Sequence, residues 1–136
     1  MKILEIDGTE NPLRWIGSES EQLQFEQAIF LKAASMSSDY RGGEWRYLGF
    51  LNRAESNVFM APRTDVQFYI KDEQFLRFNM CAESFGLEAT IRAMEGFARQ
   101  RKFNFLNSRI KSLRGIQRVL GKRGNVFGGG FNNACG

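Results

Sequence analysis

Apolar residues along this chain recur first at helical spacing, then at every second position, then at helical spacing again, and these switches mark out its elements. Residues 2–6 alternate over one short strand, and Asn11-Pro12 and Gly17 mark loops. Ser18-x-x-Glu21 has the form of a capping box. Leu23, Phe25, Ala28, Ile29, Leu31 and Ala33 then suit one broad face, which predicts a helix over 20–36. In 44–51, Trp45, Tyr47 and Leu51 share a face with Gly49 while Leu48 and Phe50 take the other, so this strand is expected to be covered on both sides and central. Residues 57–61 are its expected partner, stopped by Pro62, with the hairpin closing through 52–56. Val66, Phe68 and Ile70 alternate with polar neighbours. After an Asp72-Glu73 turn, Leu76, Phe78 and Met80 alternate with Phe75, Arg77 and Asn79, giving a second hairpin with one apolar face.

The helical rhythm returns over 82–102 with Leu87, Ile91, Met94, Phe97 and Ala98, as expected of a helix lying on a sheet. After a break at Phe103-Asn104 it repeats with Leu106, Ile110, Leu113, Ile116 or Gln117, and Leu120. The fold class expected is α+β: an antiparallel sheet of about four strands in two hairpins, packed with an N-terminal helix and two C-terminal helices. One domain over 1–123 accounts for these elements. Gly124, Gly128, Gly129, Gly130, Asn132 and Asn133 then predict a flexible tail over 124–136.

Composition narrows the chemistry. The 136 residues, 43% of them hydrophobic, suffice for one self-sufficient core. No 18-residue apolar run is present, and the first residues are too short and too charged for a signal peptide, so a soluble cytoplasmic protein with no membrane partner is expected. The chain has no histidine, which removes the usual base of serine and cysteine hydrolases and the commonest ligand of catalytic zinc. Gly121-Lys122-Arg123-Gly124 lacks the order of a phosphate-binding loop, and Gly128 to Gly130 precede no helix start. No catalytic residue, metal site or cofactor is expected. Cys81 and Cys135 lie far apart in sequence, and no structural disulfide is expected between them.

Charge is segregated. All fifteen acidic side chains, with ten basic ones, precede position 99, and nine basic residues with no acidic one follow, for a net +4. Lys111, Arg114, Arg118 and Lys122 recur at spacings of three, four and four, a helix face opposite the apolar one, with Arg109 nearby. Such a face is either a solvated surface balancing the acidic first part of the molecule or a docking stripe for nucleic acid or an acidic partner.

The block Asp39-Tyr40-Arg41-Gly42-Gly43-Glu44-Trp45, followed by Asn57-Val58-Phe59-Met60-Ala61-Pro62, carries the most information. A Gly pair admits backbone angles closed to other residues and can turn the chain to deliver Trp45 and Tyr47 into a strand. On that ground alone these residues build a turn and fill a core. In order and spacing, however, the block resembles the antirestriction family of the ArdB/KlcA type, with its Tyr-x-Gly-Gly-x-Trp signature. The firm points are Asp39, Tyr40, Gly42, Gly43, Trp45, Phe59, Met60 and Pro62, with a looser match at Gly86, Ala89 and Thr90. The likeness spans roughly 25–120 and lapses in the first twenty residues, in the link over 52–56 and in the Gly-rich tail.

The resemblance implies a compact α+β fold, a source in plasmids, phages or other mobile elements, and relief of type I restriction in a bacterial host. It implies no catalytic set. The partner it implies is the host type I restriction-modification complex. The resemblance assigns no residue a role in that contact; the surface expected here is the exposed part of the turn and strand end formed by Asp39, Tyr40, Arg41, Gly42, Gly43, Trp45, Phe59, Met60 and Pro62. A net basic chain argues against imitation of duplex DNA, which needs a dense acidic surface. The alternative is a nucleic-acid-associated module using the basic face of Arg109, Lys111, Arg114, Arg118 and Lys122.

Overall fold

The computed structural model describes residues 3–50, 58–71, 77–101 and 105–122. The links expected over 52–56, at Asp72-Glu73 and at Phe103-Asn104, and the tail over 124–136, lie outside the described residues. Strand β1 (Ile3–Ile6) leads through two short 3-10 turns, Gly8–Glu10 and Arg14–Ile16, to helix α1 (Glu19–Met36). The Ser18 side chain accepts a hydrogen bond from the Glu21 N–H, and the Glu21 carboxylate accepts one from the Ser18 N–H, both at 3.2 Å. This reciprocal cap satisfies donors that a helix start leaves open, so α1 begins where the sequence predicts.

Strand β2 (Trp45–Phe50) lies between β1 and β3 (Phe59–Pro62) in a three-stranded antiparallel sheet, with Leu48 opposite Glu5 on one side and Phe59 on the other. Leu48 and Phe50 are buried on one face and Trp45 and Tyr47 half-buried on the other, as expected of a central strand. Pro62 belongs to β3, as its last residue, opposite Trp45. Strands β4 (Phe68–Lys71) and β5 (Arg77–Met80) form a second, two-stranded sheet, with Phe68 opposite Met80. Val66 precedes this ladder and is exposed. Helices α2 (Ala82–Arg101) and α3 (Phe105–Lys122) complete the α+β architecture.

The second hairpin does not extend the first sheet beyond β3 because α2 already occupies that edge. Thr90 Oγ1 accepts from the Met60 N–H at 3.1 Å and donates to the Met60 carbonyl at 3.4 Å, so a helix side chain satisfies both edge groups of one strand residue. Gly86 makes the approach feasible: a Cβ there would stand 2.1 Å from the Met60 carbonyl oxygen and 2.4 Å from the Ala61 Cα. Helix α2 is therefore the centre of the molecule. Phe85, Leu87, Ala89, Ile91 and Met94 are all essentially inaccessible, so the helix is buried on more than the single face that a helix resting on a sheet would bury.

Two sequence expectations are corrected. The core face of α1 is Phe25, Ile29, Ala33 and Met36, whereas Leu23 and Leu31 are 56% and 72% exposed, because six apolar positions spread over a wider arc than one packing face covers. Cys81, immediately before α2, is disulfide-bonded. Cys135 lies outside the described residues. Distance along the chain is weak ground against a disulfide, since the entropy of closing a loop grows only logarithmically with its length.

Candidate functional site

Residues 37–44 connect α1 to β2 and hold most of the Tyr-x-Gly-Gly-x-Trp block. The loop starts on a latch to the second sheet. Ser37 Oγ donates to the Tyr69 carbonyl at 2.7 Å, Asp39 Oδ2 accepts from the Tyr69 N–H at 2.9 Å, and the Asp39 N–H donates to Ser37 Oγ at 3.2 Å. Both outward backbone groups of Tyr69, in β4, are thus satisfied by the loop.

Tyr40 comes next, half-buried, its hydroxyl oxygen accepting from Trp45 Nε1 at 3.0 Å while the two rings meet edge to face at 5.7 Å. The Tyr40 ring also lies against Phe68 and Phe85, which stack on each other at 4.2 Å, and Trp45 packs on Phe30 at 5.2 Å. Rings from α1, β2, β4 and α2 meet at this point. Each such pair contributes about 0.5–1.5 kcal/mol beyond its buried area.

Beyond Tyr40 the chain turns outward. Gly42 and Gly43 have φ of 87° and 111°, angles that residues with a Cβ rarely adopt, yet a Cβ at either would meet no atom within 4 Å. Backbone direction, not space, calls for glycine here. Arg41, Gly42, Gly43 and Glu44 are exposed, and Arg41 has no ion pair or hydrogen bond among the described residues.

An ion-pair chain secures the far end of this segment. The Arg63 N–H donates to the Glu44 carbonyl at 2.8 Å, and its guanidinium lies 3.6 Å from the Glu44 carboxylate. The same guanidinium grips Glu5 through two hydrogen bonds of 3.1 and 2.8 Å, and Arg46 links Glu5 at 3.5 Å to Glu83 at 2.6 Å. Hydrogen bonding from Arg63 holds the Glu5 carboxyl below its ordinary value. On the neighbouring face, burial and the hydrogen bond to Glu26 push the Tyr47 phenol well above its ordinary value.

The nine residues expected to form a contact surface therefore separate. Phe59 and Met60 are 1% and 3% exposed, and Pro62 is buried, so these three are core residues and offer no contact surface, contrary to the expectation from the sequence. They fasten β3 between β2 and α2. Asp39, Tyr40 and Trp45 are engaged as described, and Arg41, Gly42 and Gly43 remain at the surface together with Glu44.

The basic stripe separates as well. The Arg109 guanidinium lies 4.0 Å above the Trp15 ring. Arg114 turns toward α2, contacting Glu88 at 2.8 Å, Gln117 at 2.9 Å and Glu95 at 3.2 Å. Glu88, nearly inaccessible, also accepts from Gln117 Nε2 at 2.9 Å and from Arg92 Nε at 2.7 Å. Burial raises the Glu88 carboxyl, but the hydrogen bonds and charges of Arg114 and Arg92 outweigh it and hold the group below its ordinary value. Arg114 thus fastens α3 to α2 and does not belong to an outward face. Lys111 and Arg118 are exposed, and the Lys122 side chain lies outside the described residues. Glu88 and Gln117, at buried positions of facing helices, escaped the sequence reading. The only trace was an amide at an otherwise apolar position.

Among the described residues no three His, Cys, Asp or Glu side chains group in a way that could hold a metal ion, and no helix is long and apolar enough to cross a membrane. No protein-family profile and no curated protein matches this sequence. A solved structure from work on the KlcA and ArdB proteins, described as having a novel fold and antirestriction activity against type I DNA restriction systems in vivo but not in vitro, is similar. It superposes with a TM-score of 0.67 at 17% identity, over 85% of this chain and 84% of that one. Over most of its length, then, this chain has the fold of that KlcA and ArdB structure.

Proposed function

We propose that this chain is an antirestriction protein that relieves host type I restriction by binding a component of the restriction-modification complex, performs no bond-making chemistry, and makes contact through residues 41–44. The observation that carries the reading is the fold likeness to a structure described as antirestriction, extending over 85% of the chain. The loop supports the placement. Its base is latched to β4 and its Tyr40 ring packs against rings of β2, β4 and α2, so the exposed tip springs from an anchored stem, which lowers the ordering cost of binding. Charge supports binding over DNA mimicry: the chain is net +4, and Glu5, Glu44, Glu83, Glu88 and Glu95 are each ion-paired with arginine.

The test is the plating efficiency of unmodified phage on a type I restricting strain. Expression of the wild-type chain is expected to raise it, and an Arg41→Ala, Glu44→Ala double variant that remains folded is expected not to. Unchanged plating with the wild-type chain sinks the proposal. The nucleic-acid reading rests on exposed Lys111 and Arg118, with no acidic residue after Glu95, and is weakened by the internal use of Arg109 and Arg114. A salt-dependent mobility shift abolished by Lys111→Ala with Arg118→Ala would favour it instead.

A further inference from the structure

The outer face of α1 is unlike an ordinary solvated helix face. Ser20, Leu23, Gln27, Leu31 and Ala34 follow one another at spacings of three, four, four and three, which aligns them along the helix, and all five are exposed. Leu31 and Leu23, at 72% and 56%, are among the most exposed large hydrophobic residues described. No charged residue lies on the stripe: the helix's charges, Glu19, Glu21, Glu26 and Lys32, project to its sides, and Glu26 is taken up by the Tyr47 hydroxyl. A solvent-facing helix surface ordinarily carries such charges.

The stripe is also its own complement. Reading outward from Gln27 in either direction gives leucine at the fourth residue and a small residue, serine or alanine, at the seventh. A two-fold axis through Gln27 therefore sets Leu23 of one copy on Leu31 of the other, twice, with small residues at both ends that let the helices approach closely. The two Gln27 amides meet at the axis. Gln27 has no partner among the described residues, and an amide carries both donor and acceptor, so two copies satisfy each other reciprocally. With no charge on the stripe, self-pairing brings no like charges together. Identical patches related by a two-fold axis are the defining feature of an isologous interface.

We infer that two copies of this chain associate through antiparallel pairing of α1, centred on Gln27. A single helix pair is at the low end of specific interfaces, so dissociation is expected at a Kd on the order of 10 µM.

Sedimentation equilibrium over a range of concentrations tests this. The wild-type chain is expected to pass from monomer to dimer. Leu31→Glu is expected to weaken association at least tenfold, and Leu23→Lys to do likewise. In a chain carrying both substitutions the introduced lysine of one copy meets the introduced glutamate of the other, and association is expected to return. Both positions are mostly exposed, so unchanged circular dichroism is expected of every variant. A wild-type chain that stays monomeric up to about 1 mM, a Leu31→Glu variant that still dimerises, or a double variant that stays monomeric each overturns the inference.

Discussion

The Asp39 carboxylate accepts a hydrogen bond from the main-chain N–H of Tyr69 at 2.9 Å, joining the α1–β2 loop to the second sheet across thirty residues of chain. With Ser37 holding the Tyr69 carbonyl, the loop takes the place of a third strand at this one position of β4. A motif residue that could have been offered to a partner is thus first of all a fastener, and the exposed tip beyond it depends on that hold.

Replacing Asp39 by Ala removes the acceptor and leaves the Tyr69 N–H to water. The expected loss is about 1 kcal/mol, modest because Asp39 is exposed, whereas Asp39→Asn keeps an acceptor and should lose less. Urea unfolding measures the difference, and amide hydrogen exchange at Tyr69 should accelerate in Asp39→Ala alone. Equal exchange in both variants would contradict the latch.

Gly86 and Gly96 lie in the same helix and should respond to alanine with opposite signs. At Gly86 the new methyl meets main-chain atoms of β3 at 2.1 and 2.4 Å, so helix and strand must part, at a cost of about 3 kcal/mol. A Cβ at Gly96 would meet no atom within 4 Å beyond the helix's own backbone, and Gly96→Ala should stabilise the helix by about 0.5–1 kcal/mol. Thermal melting of the two single variants compares them directly.

At Gly42 the surroundings are equally open, yet φ is 87°, so a side chain is disfavoured by conformation alone. Gly42→Val is expected to cost about 1–2 kcal/mol, or to shift the loop tip. Gly42→Asn should cost less, since asparagine tolerates the left-handed region. If stability is unchanged for both, the loop has rearranged, and the proposed contact predicts that plating efficiency then falls.

Local features were legible in the sequence and cross-chain features were not. The Ser18–Glu21 cap sets the start of α1 through residues three apart, and the two-faced pattern of Trp45, Tyr47, Leu48 and Phe50 identifies a central strand without reference to its neighbours. Thr90 capping the β3 edge and Gly86 admitting the strand depend on contacts some thirty residues distant, which periodicity does not encode. Arg114 illustrates the limit. Its spacing from Lys111 and Arg118 places it on a helix face but says nothing of Glu88, which stands opposite on α2 and draws it inward. Phe59 and Met60 were similarly misplaced at the surface, since a motif match is silent on burial.

That inward pairing makes the pH response of Arg114→Ala distinctive. In the wild-type chain Glu88 titrates below its ordinary value, so the contribution of its ion pairs is fully present above the unfolded carboxylate value of about 4.3 and is lost as pH falls through the folded value. Without Arg114, burial acts on Glu88 with only Arg92 and Gln117 to oppose it, and its folded value moves upward. At neutral pH the variant then retains a poorly compensated buried carboxylate, for a loss of about 3 kcal/mol. Near pH 4, roughly the unfolded carboxylate value, protonation of Glu88 relieves that burden, so the cost of the substitution should shrink. Urea unfolding of both proteins at the two pH values measures this, with exposed Lys111→Ala as a control expected to stay within about 0.5 kcal/mol of wild type at either. A cost for Arg114→Ala that is the same at both pH values would mean that Arg114 acts by packing alone and that charge plays no part in holding α3 to α2.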